Sequence, residues 1–128
     1  MKTFVGIVST VAVLASPALS DDQAVHQIAA CAGRLSAQVE HEWLMRDAAV
    51  QETQALRQEM TAVLEGTVAQ DRVADVLNIR ISAKAAQARL LSRATFNTDA
   101  VDAGRAARHA RNAIRACKRA FVLYRPNA

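Results

Sequence analysis

The sequence predicts an all-α protein, a small antiparallel helical bundle closed by one disulfide. No proline occurs between Pro17 and Pro126. The glycines after residue 20 are Gly33, Gly66 and Gly104. Much of the remaining chain is alanine, leucine, arginine, glutamate and glutamine, which all favour helices. Apolar residues recur at steps of three and four, which is the helical period, and β-branched residues never alternate over the length of a strand.

The N-terminus has the three-part layout of a secretory signal peptide. Lys2 supplies a positive charge, residues 4–15 are apolar, and Ala-Leu-Ser at residues 18–20 is a small-x-small cleavage site. This apolar run is shorter than the ~20 residues that cross a bilayer, although an uncleaved anchor is the alternative. We therefore expect removal of residues 1–20 as a signal peptide, which leaves residues 21–128 as a single periplasmic or secreted domain.

Four apolar stripes divide this domain into helices over residues 22–45, 48–65, 68–94 and 98–122. The stripes are Val25, Ile28, Ala32, Leu35, Val39 and Trp43; Ala49, Thr53, Leu56, Met60 and Val63; Val76, Ile79, Ala83, Ala86, Leu90 and Ala94; and Ala103, Ala106, Ala110, Ala113, Cys117 and Ala120. Gly66-Thr67 and Asn97-Thr98 mark two of the turns, and Thr98 is the predicted N-cap of the last helix.

The break between the first two helices has the weakest signal. Glu42 and Arg46 are charged residues on the first apolar stripe, so the segment around them is either a turn or a polar interruption of one helix. A single helix over residues 22–65 would be ~66 Å long, which is awkward in a compact domain of this size. Four helices are therefore favoured, and three helices with one long member are the alternative.

The two cysteines, Cys31 and Cys117, predict a disulfide. Ile-Ala-Ala-Cys at residues 28–31 resembles the lipobox of bacterial lipoproteins, but the polar residues 21–27 separate it from the apolar run, so Cys31 is not a lipid anchor. An even number of cysteines in an exported protein is typical of disulfide bonding. In an antiparallel bundle the first and last helices are neighbours, and the two cysteines lie at similar heights. Two free buried thiols are the alternative.

No motif indicates catalysis. His-Glu-Trp-Leu-Met at residues 41–45 lacks the second histidine of the zinc-protease motif H-E-x-x-H. The sequence also lacks a G-x-S-x-G nucleophile elbow, a glycine-rich phosphate loop and a C-x-x-C pair. No pair of acidic residues stands out as a general acid and base, and Glu40, Glu42, Glu52 and Glu59 are assigned to solvated helix faces. We therefore expect a protein that is not an enzyme and carries no cofactor.

Charge is distributed unevenly along the domain. Residues 21–79 contain 4 basic and 10 acidic residues, whereas residues 80–128 contain 11 basic and 2 acidic residues. Such an asymmetry indicates either an acidic partner or two halves that pack against each other. The second explanation is favoured.

A basic stripe on the last helix is the candidate partner-binding surface. Its members are Arg105, Arg108, Arg111, Arg115, Lys118 and Arg119. Such a stripe suits an acidic partner protein or an anionic membrane surface, and the alternative is a solvated face paired with acidic residues of earlier helices. An interfacial helix would carry large apolar residues where this one carries alanine. Nucleic acid is not expected, because the protein is exported and no aromatic residues interleave the arginines.

A haem or metal site is a further alternative. Four-helix bundles can hold haem between inward side chains, and His109 with Met45 or Met60 would supply axial ligands, with His41 nearby. His41 and His109 are weak metal candidates, because the histidines show no ligand spacing within a helix.

The sequence as a whole favours a non-enzymatic protein that binds another protein or macromolecule through its helix faces. Its oligomeric state is not predicted.

Overall fold

The computed structural model of the chain describes residues 21–125 as four helices joined by short turns. They are α1 (Asp21–Met45), α2 (Val50–Thr67), α3 (Val73–Phe96) and α4 (Ala100–Tyr124). The all-α class and the division into four helices are confirmed, and the three-helix alternative is wrong. The predicted signal peptide lies outside the described residues. None of the helices in the described part of the chain is long and apolar enough to span a bilayer.

The break between α1 and α2 is a tight turn after Met45. Arg46 adopts a left-handed conformation with φ of 56°. The Arg46 amide donates to the carbonyl of Trp43 over 3.2 Å, and the Asp47 amide donates to the carbonyl of Glu42 over 2.9 Å. These two bonds form a Schellman motif, which satisfies carbonyls at a helix end and reverses the chain. Asp47 then accepts from the amide of Ala49 just before α2 begins.

α3 begins five residues later than predicted, because residues before it form a separate turn. Val68 and Ala69 are extended, and a 3₁₀ turn covers Gln70–Arg72.

The predicted N-cap of α4 is wrong by one residue. Asp99, rather than Thr98, caps the helix by accepting hydrogen bonds from the amides of Val101 and Asp102.

α1 is the central helix of the bundle. It packs against α2, α3 and α4, and α3 also packs against α4. The main buried cluster draws on all four helices and contains the cysteines together with Ile28, Leu35, Met60, Val76 and Phe121. A second, smaller cluster of Ala37, Leu91 and Ala110 lies further along the bundle. Alanine supplies two of the three buried residues of the second cluster, whereas most buried residues of the main cluster have larger side chains.

The disulfide joins Cys31 of α1 to Cys117 of α4, as predicted. Their Cα atoms are 5.4 Å apart, and each residue is 1% exposed. The cysteines are 86 residues apart in sequence, so the bond closes most of the described chain into one loop. For a loop of this size the chain-entropy model gives a stabilisation of roughly 4.5 kcal/mol. Such a contribution is large beside the ~5–15 kcal/mol by which domains are stable.

α1 and α3 approach each other closely at Gly33. A Cβ atom on Gly33 would lie 2.1 Å from the backbone carbonyl oxygen of Arg80. Real Cβ atoms do not come this close to a backbone oxygen, so only glycine permits this helix spacing. The buried residues Ala29, Ala32 and Ala37 continue the small-residue surface of α1 on either side.

The α3–α4 turn is stabilised by an ion pair and a hydrogen bond to the carboxyl group of Asp102. Arg93 donates to Asp102 over 2.7 Å, and Asn97 donates to the same carboxyl group over 2.6 Å. The hydrogen bond from Arg93 is the main reason that the pKa of Asp102 is lowered, and the same bond raises the pKa of Arg93. The pair therefore stabilises the folded state while Asp102 is ionised.

We predict that Gly33→Ala destabilises the protein by about 1–3 kcal/mol or more, because the new methyl group must push α1 and α3 apart. Gly66→Ala is the matched control. A Cβ atom at Gly66 would meet no atom within 4 Å. This second change should leave stability unchanged or raise it by up to ~1 kcal/mol. Urea unfolding followed by circular dichroism measures both. Equal effects of the two substitutions would contradict the close helix contact.

We predict that Asp102→Asn lowers the thermal midpoint at pH 7, and that this effect shrinks as the pH falls below 3.8. Because the folded pKa of Asp102 lies below its usual value of 3.8, its contribution is complete above the usual value and is lost as the pH falls through the folded pKa. Asp71→Asn, at an exposed position in the 3₁₀ turn, serves as the control. A difference between Asp102→Asn and wild type that does not shrink at acid pH would contradict this role.

Candidate functional site

The basic face of α4 is exposed along its whole length. Its members are Arg105, Arg108, Arg111, Arg115, Lys118 and Arg119, and each is exposed. The opposite face of the helix is buried through Ala106, Ala110, Cys117 and Phe121. α4 is therefore apolar toward the bundle and cationic toward solvent, as the stripe predicts. Whether this face binds a partner stays a prediction.

The acidic and basic halves of the chain are paired in part. Lys84 lies 2.5 Å from Glu40, joining α3 to α1. Lys118 lies 3.5 Å from Glu52, joining α4 to α2. Arg125 forms a further ion pair with Glu59 of α2. These contacts agree with the favoured explanation of the charge asymmetry, but they use only one member of the basic face.

Four arginines of the basic face remain unpaired. Arg108, Arg111, Arg115 and Arg119 form no hydrogen bond or ion pair with any residue between 22 and 125. They recur once per turn along about 16 Å of helix. Like charges at this spacing repel each other by a few tenths of a kcal/mol per pair, and a bound anionic group would relieve the repulsion. Guanidinium groups match carboxylates with two parallel hydrogen bonds, so a row of them suits an acidic surface.

The candidate haem and metal ligands lie in different environments. His109 is exposed on α4, whereas Met60 is 0% exposed in the main core cluster. Met45 is exposed at the end of α1, and His41 is half-buried with its Nε2 3.1 Å from Thr95 Oγ1. Within residues 22–125 no group of three or more potential ligands comes together to hold a metal ion. The structure therefore provides no shared site for His109 and Met60.

A groove beside the basic face was not predicted from the sequence. It lies between α2 and α4, over α1 and α3, and has a volume of about 340 Å³. Small and branched apolar side chains form one part of its lining, namely Leu91, Ala94, Ala107, Ala110 and Ile114. The polar part includes Glu42, Asp47 and Arg111. Arg111 therefore belongs both to the basic face and to the edge of this groove.

The prediction that Glu42 lies on a solvated helix face is wrong. Glu42 is only 6% exposed, because it continues the apolar stripe of Leu35 and Val39 along α1. That position in the stripe is the sequence signal that could have identified it. The solvated assignment does hold for Glu40, Glu52 and Glu59, which are exposed.

Glu42 is the end of a chain of polar contacts, partly or fully buried, that links three helices. Gln38 donates to Glu42 Oε1 over 3.0 Å. Gln87 of α3 donates to Gln38 Oε1 over 3.3 Å and to the carbonyl oxygen of Ala110 in α4 over 3.2 Å. Gln87 is 1% exposed. These contacts hold one carboxyl oxygen of Glu42 in a fixed position.

The other carboxyl oxygen of Glu42 has no partner in the protein. Oε2 is the one buried side-chain nitrogen or oxygen atom, among the described residues, that forms no hydrogen bond. A buried acceptor left unpaired costs about 1–3 kcal/mol, and more when it is charged. Native proteins have few such atoms, and each calls for an explanation. This oxygen lies on a residue that lines the groove, so the groove is a second candidate site.

Comparison of the chain with protein-family models, curated proteins and solved structures finds no match. No relative therefore suggests a ligand or a reaction. The two candidate surfaces are defined by this chain's own side chains. One has unpaired cations on α4, and the other is the neighbouring groove, lined by a residue with an unpaired carboxyl oxygen.

Proposed function

We propose that this is an exported protein that acts without catalysis, by binding an acidic partner protein through the basic face of α4. The observation that carries the proposal is the row of four unpaired arginines, Arg108, Arg111, Arg115 and Arg119. Lys84 and Arg125 are paired with glutamates of the same chain. Arg46, Arg80 and Arg89 also lack an ion pair with the described residues, but they lie outside α4 and do not form a row. A partner that presents carboxylates at matching spacing would neutralise the four charges of this row.

Export to the periplasm or the cell exterior is part of this proposal. Its supports are the signal-like sequence of residues 1–20 and the bond between Cys31 and Cys117. Disulfides form and persist in oxidising compartments and are rare in the cytosol.

A membrane surface is the second candidate partner. Its support is that Val122 and Leu123, just beyond the arginines, are 76% and 88% exposed. Against it, the buried face of α4 carries Ala106, Ala110 and Phe121, so this face cannot insert into lipid while the bundle is folded. An acidic protein is favoured because it can bind the exposed arginines directly, without insertion of the buried apolar face of α4.

We predict that Arg111→Gln with Arg115→Gln abolishes partner capture without unfolding the protein. Exposed substitutions of this kind change stability by about 0.5 kcal/mol or less. Arg46→Gln with Arg89→Gln is the matched control, because both residues are exposed, lie outside the basic face and give the same change in net charge. Cross-linking in the native periplasm, followed by mass spectrometry, measures capture, and thermal melting measures stability.

Three results would contradict this function. One is equal loss of capture in the control variant, which would show a general charge effect. Another is unfolding of the Arg111 and Arg115 variant, which would mean that the two arginines are structural. The third is binding to anionic vesicles that depends on these arginines and is lost at high salt, in the absence of any captured acidic protein. That result would favour the membrane surface instead.

A further inference from the structure

We propose that the groove between α2 and α4 binds the ammonium group of a small organic molecule through Glu42. This site is distinct from the proposed protein-binding function, because it takes a small ligand within the groove rather than a macromolecule on the outer face of α4. The inference depends on the unpaired Oε2 atom of Glu42, on the lining of the groove and on the balance of charge around it.

The unpaired oxygen determines what kind of group can bind. A carboxylate offers only acceptors, so the ligand must supply a hydrogen-bond donor. Gln38 already occupies Oε1, and Gln87 holds Gln38 in place, so Oε2 is the oxygen left to accept a further hydrogen bond. Because Oε2 is almost fully covered, the side chains that line the groove must move slightly to let a ligand reach it. Hydrogen bonds between charged donors and carboxylates are about twice as strong as those between neutral groups. A cationic nitrogen is therefore the best match to this atom.

The charges that line the groove favour a cation overall. Three carboxyl groups line it, those of Glu42, Asp47 and Glu52, against the two cations Arg111 and Lys118. Lys118 is already paired with Glu52. Two carboxyl groups and one cation remain, so the groove keeps a net negative charge even with Arg111 at its edge.

The apolar lining determines the rest of the ligand. Ala94, Ala107 and Ala110 leave open space because their side chains are short, and Leu91 and Ile114 give that space an apolar surface. A volume of about 340 Å³ lies at the lower end of the ~300–1,000 Å³ typical of small-molecule pockets. The expected ligand is therefore a primary ammonium compound with a compact apolar body.

The test is an NMR titration of the mature protein with 2-phenylethylammonium chloride at constant ionic strength. The neutral alcohol 2-phenylethanol has the same shape and lacks the charge. We expect saturable shifts of the amide signals of residues 38–49 and 107–114 with the ammonium compound. Binding of the alcohol should be weaker by about tenfold or more, the effect of losing one charge-assisted hydrogen bond.

Two variants and one control assign the effect to Glu42. Glu42→Gln keeps the side-chain volume and should weaken ammonium binding by about tenfold or more. Glu40→Gln makes the same change in net charge at an exposed position on α1 and should bind as wild type does. Ala107→Leu fills the groove, keeps Glu42 and should abolish binding. This variant decides the question if Glu42→Gln does not fold.

Four results would overturn the proposal. They are no saturable shift with the ammonium compound, equal binding of the alcohol, equal binding by Glu42→Gln and Glu40→Gln, and undiminished binding by Ala107→Leu. Because Arg115 does not line the groove, Arg115→Gln should leave ammonium binding unchanged even where it weakens protein capture. The two proposals can therefore fail separately.

Discussion

The burial of α1 against the other three helices is the constraint on which the rest of this structure depends. The residues of α1 from Ile28 to Val39 include most of its buried surface, and many of them are small. Gly33 sets the distance to α3, and Cys31 fixes the position of α4 by a covalent bond. α2 packs chiefly on α1, so its place in the bundle also depends on this helix. The bundle is thus organised around α1, which supplies five of the ten buried residues of the main core cluster.

This arrangement explains why both candidate sites lie around α4. α2 and α4 are held by α1, and their own link includes the exposed ion pairs of Lys118 with Glu52 and of Arg125 with Glu59. Space therefore remains between them, and the polar end of α1 at Glu42 faces that space. The buried side of α4 packs against α1 and α3, and small alanine side chains allow this packing. The arginines lie on the exposed side of the helix. A bundle built for stability alone would place an apolar residue at position 42, because an unpaired buried acceptor is costly.

Much of the fold could be predicted because its signals are local. Helical periodicity and the scarcity of glycine and proline identify four helices, and the two cysteines of the sequence can pair only with each other within one molecule. Side-chain orientation was harder to predict in the alanine-rich helices. On α3 the predicted stripe includes Ala86, which is exposed, whereas Gln87 and Leu91 are buried. Alanine occurs on both faces of such a helix, so its periodicity identifies the buried face poorly.

The candidate groove could not be predicted because it depends on contacts between distant residues. Gln87 is buried because Gln38 and the Ala110 carbonyl accept its hydrogen bonds, and neither partner is near it in sequence. Likewise, the free space between α2 and α4 depends on how these two helices pack on α1. The basic face differs in this respect. Its arginines could be identified from the sequence, but their lack of acidic partners could be found only once the neighbouring helices were in place.

Native-state hydrogen exchange, resolved by residue, tests the central position of α1 most directly. Amides in the most stable part of a protein exchange only when the whole domain unfolds, whereas less supported elements open separately. We predict that the amides of residues 28–39 exchange most slowly in the chain, together with those of α4 around Cys117. Those of α2, which chiefly contacts one neighbour, should exchange faster through local opening. If α2 were protected as strongly as α1, or if residues 28–39 exchanged early, α1 would not be the helix on which the others depend.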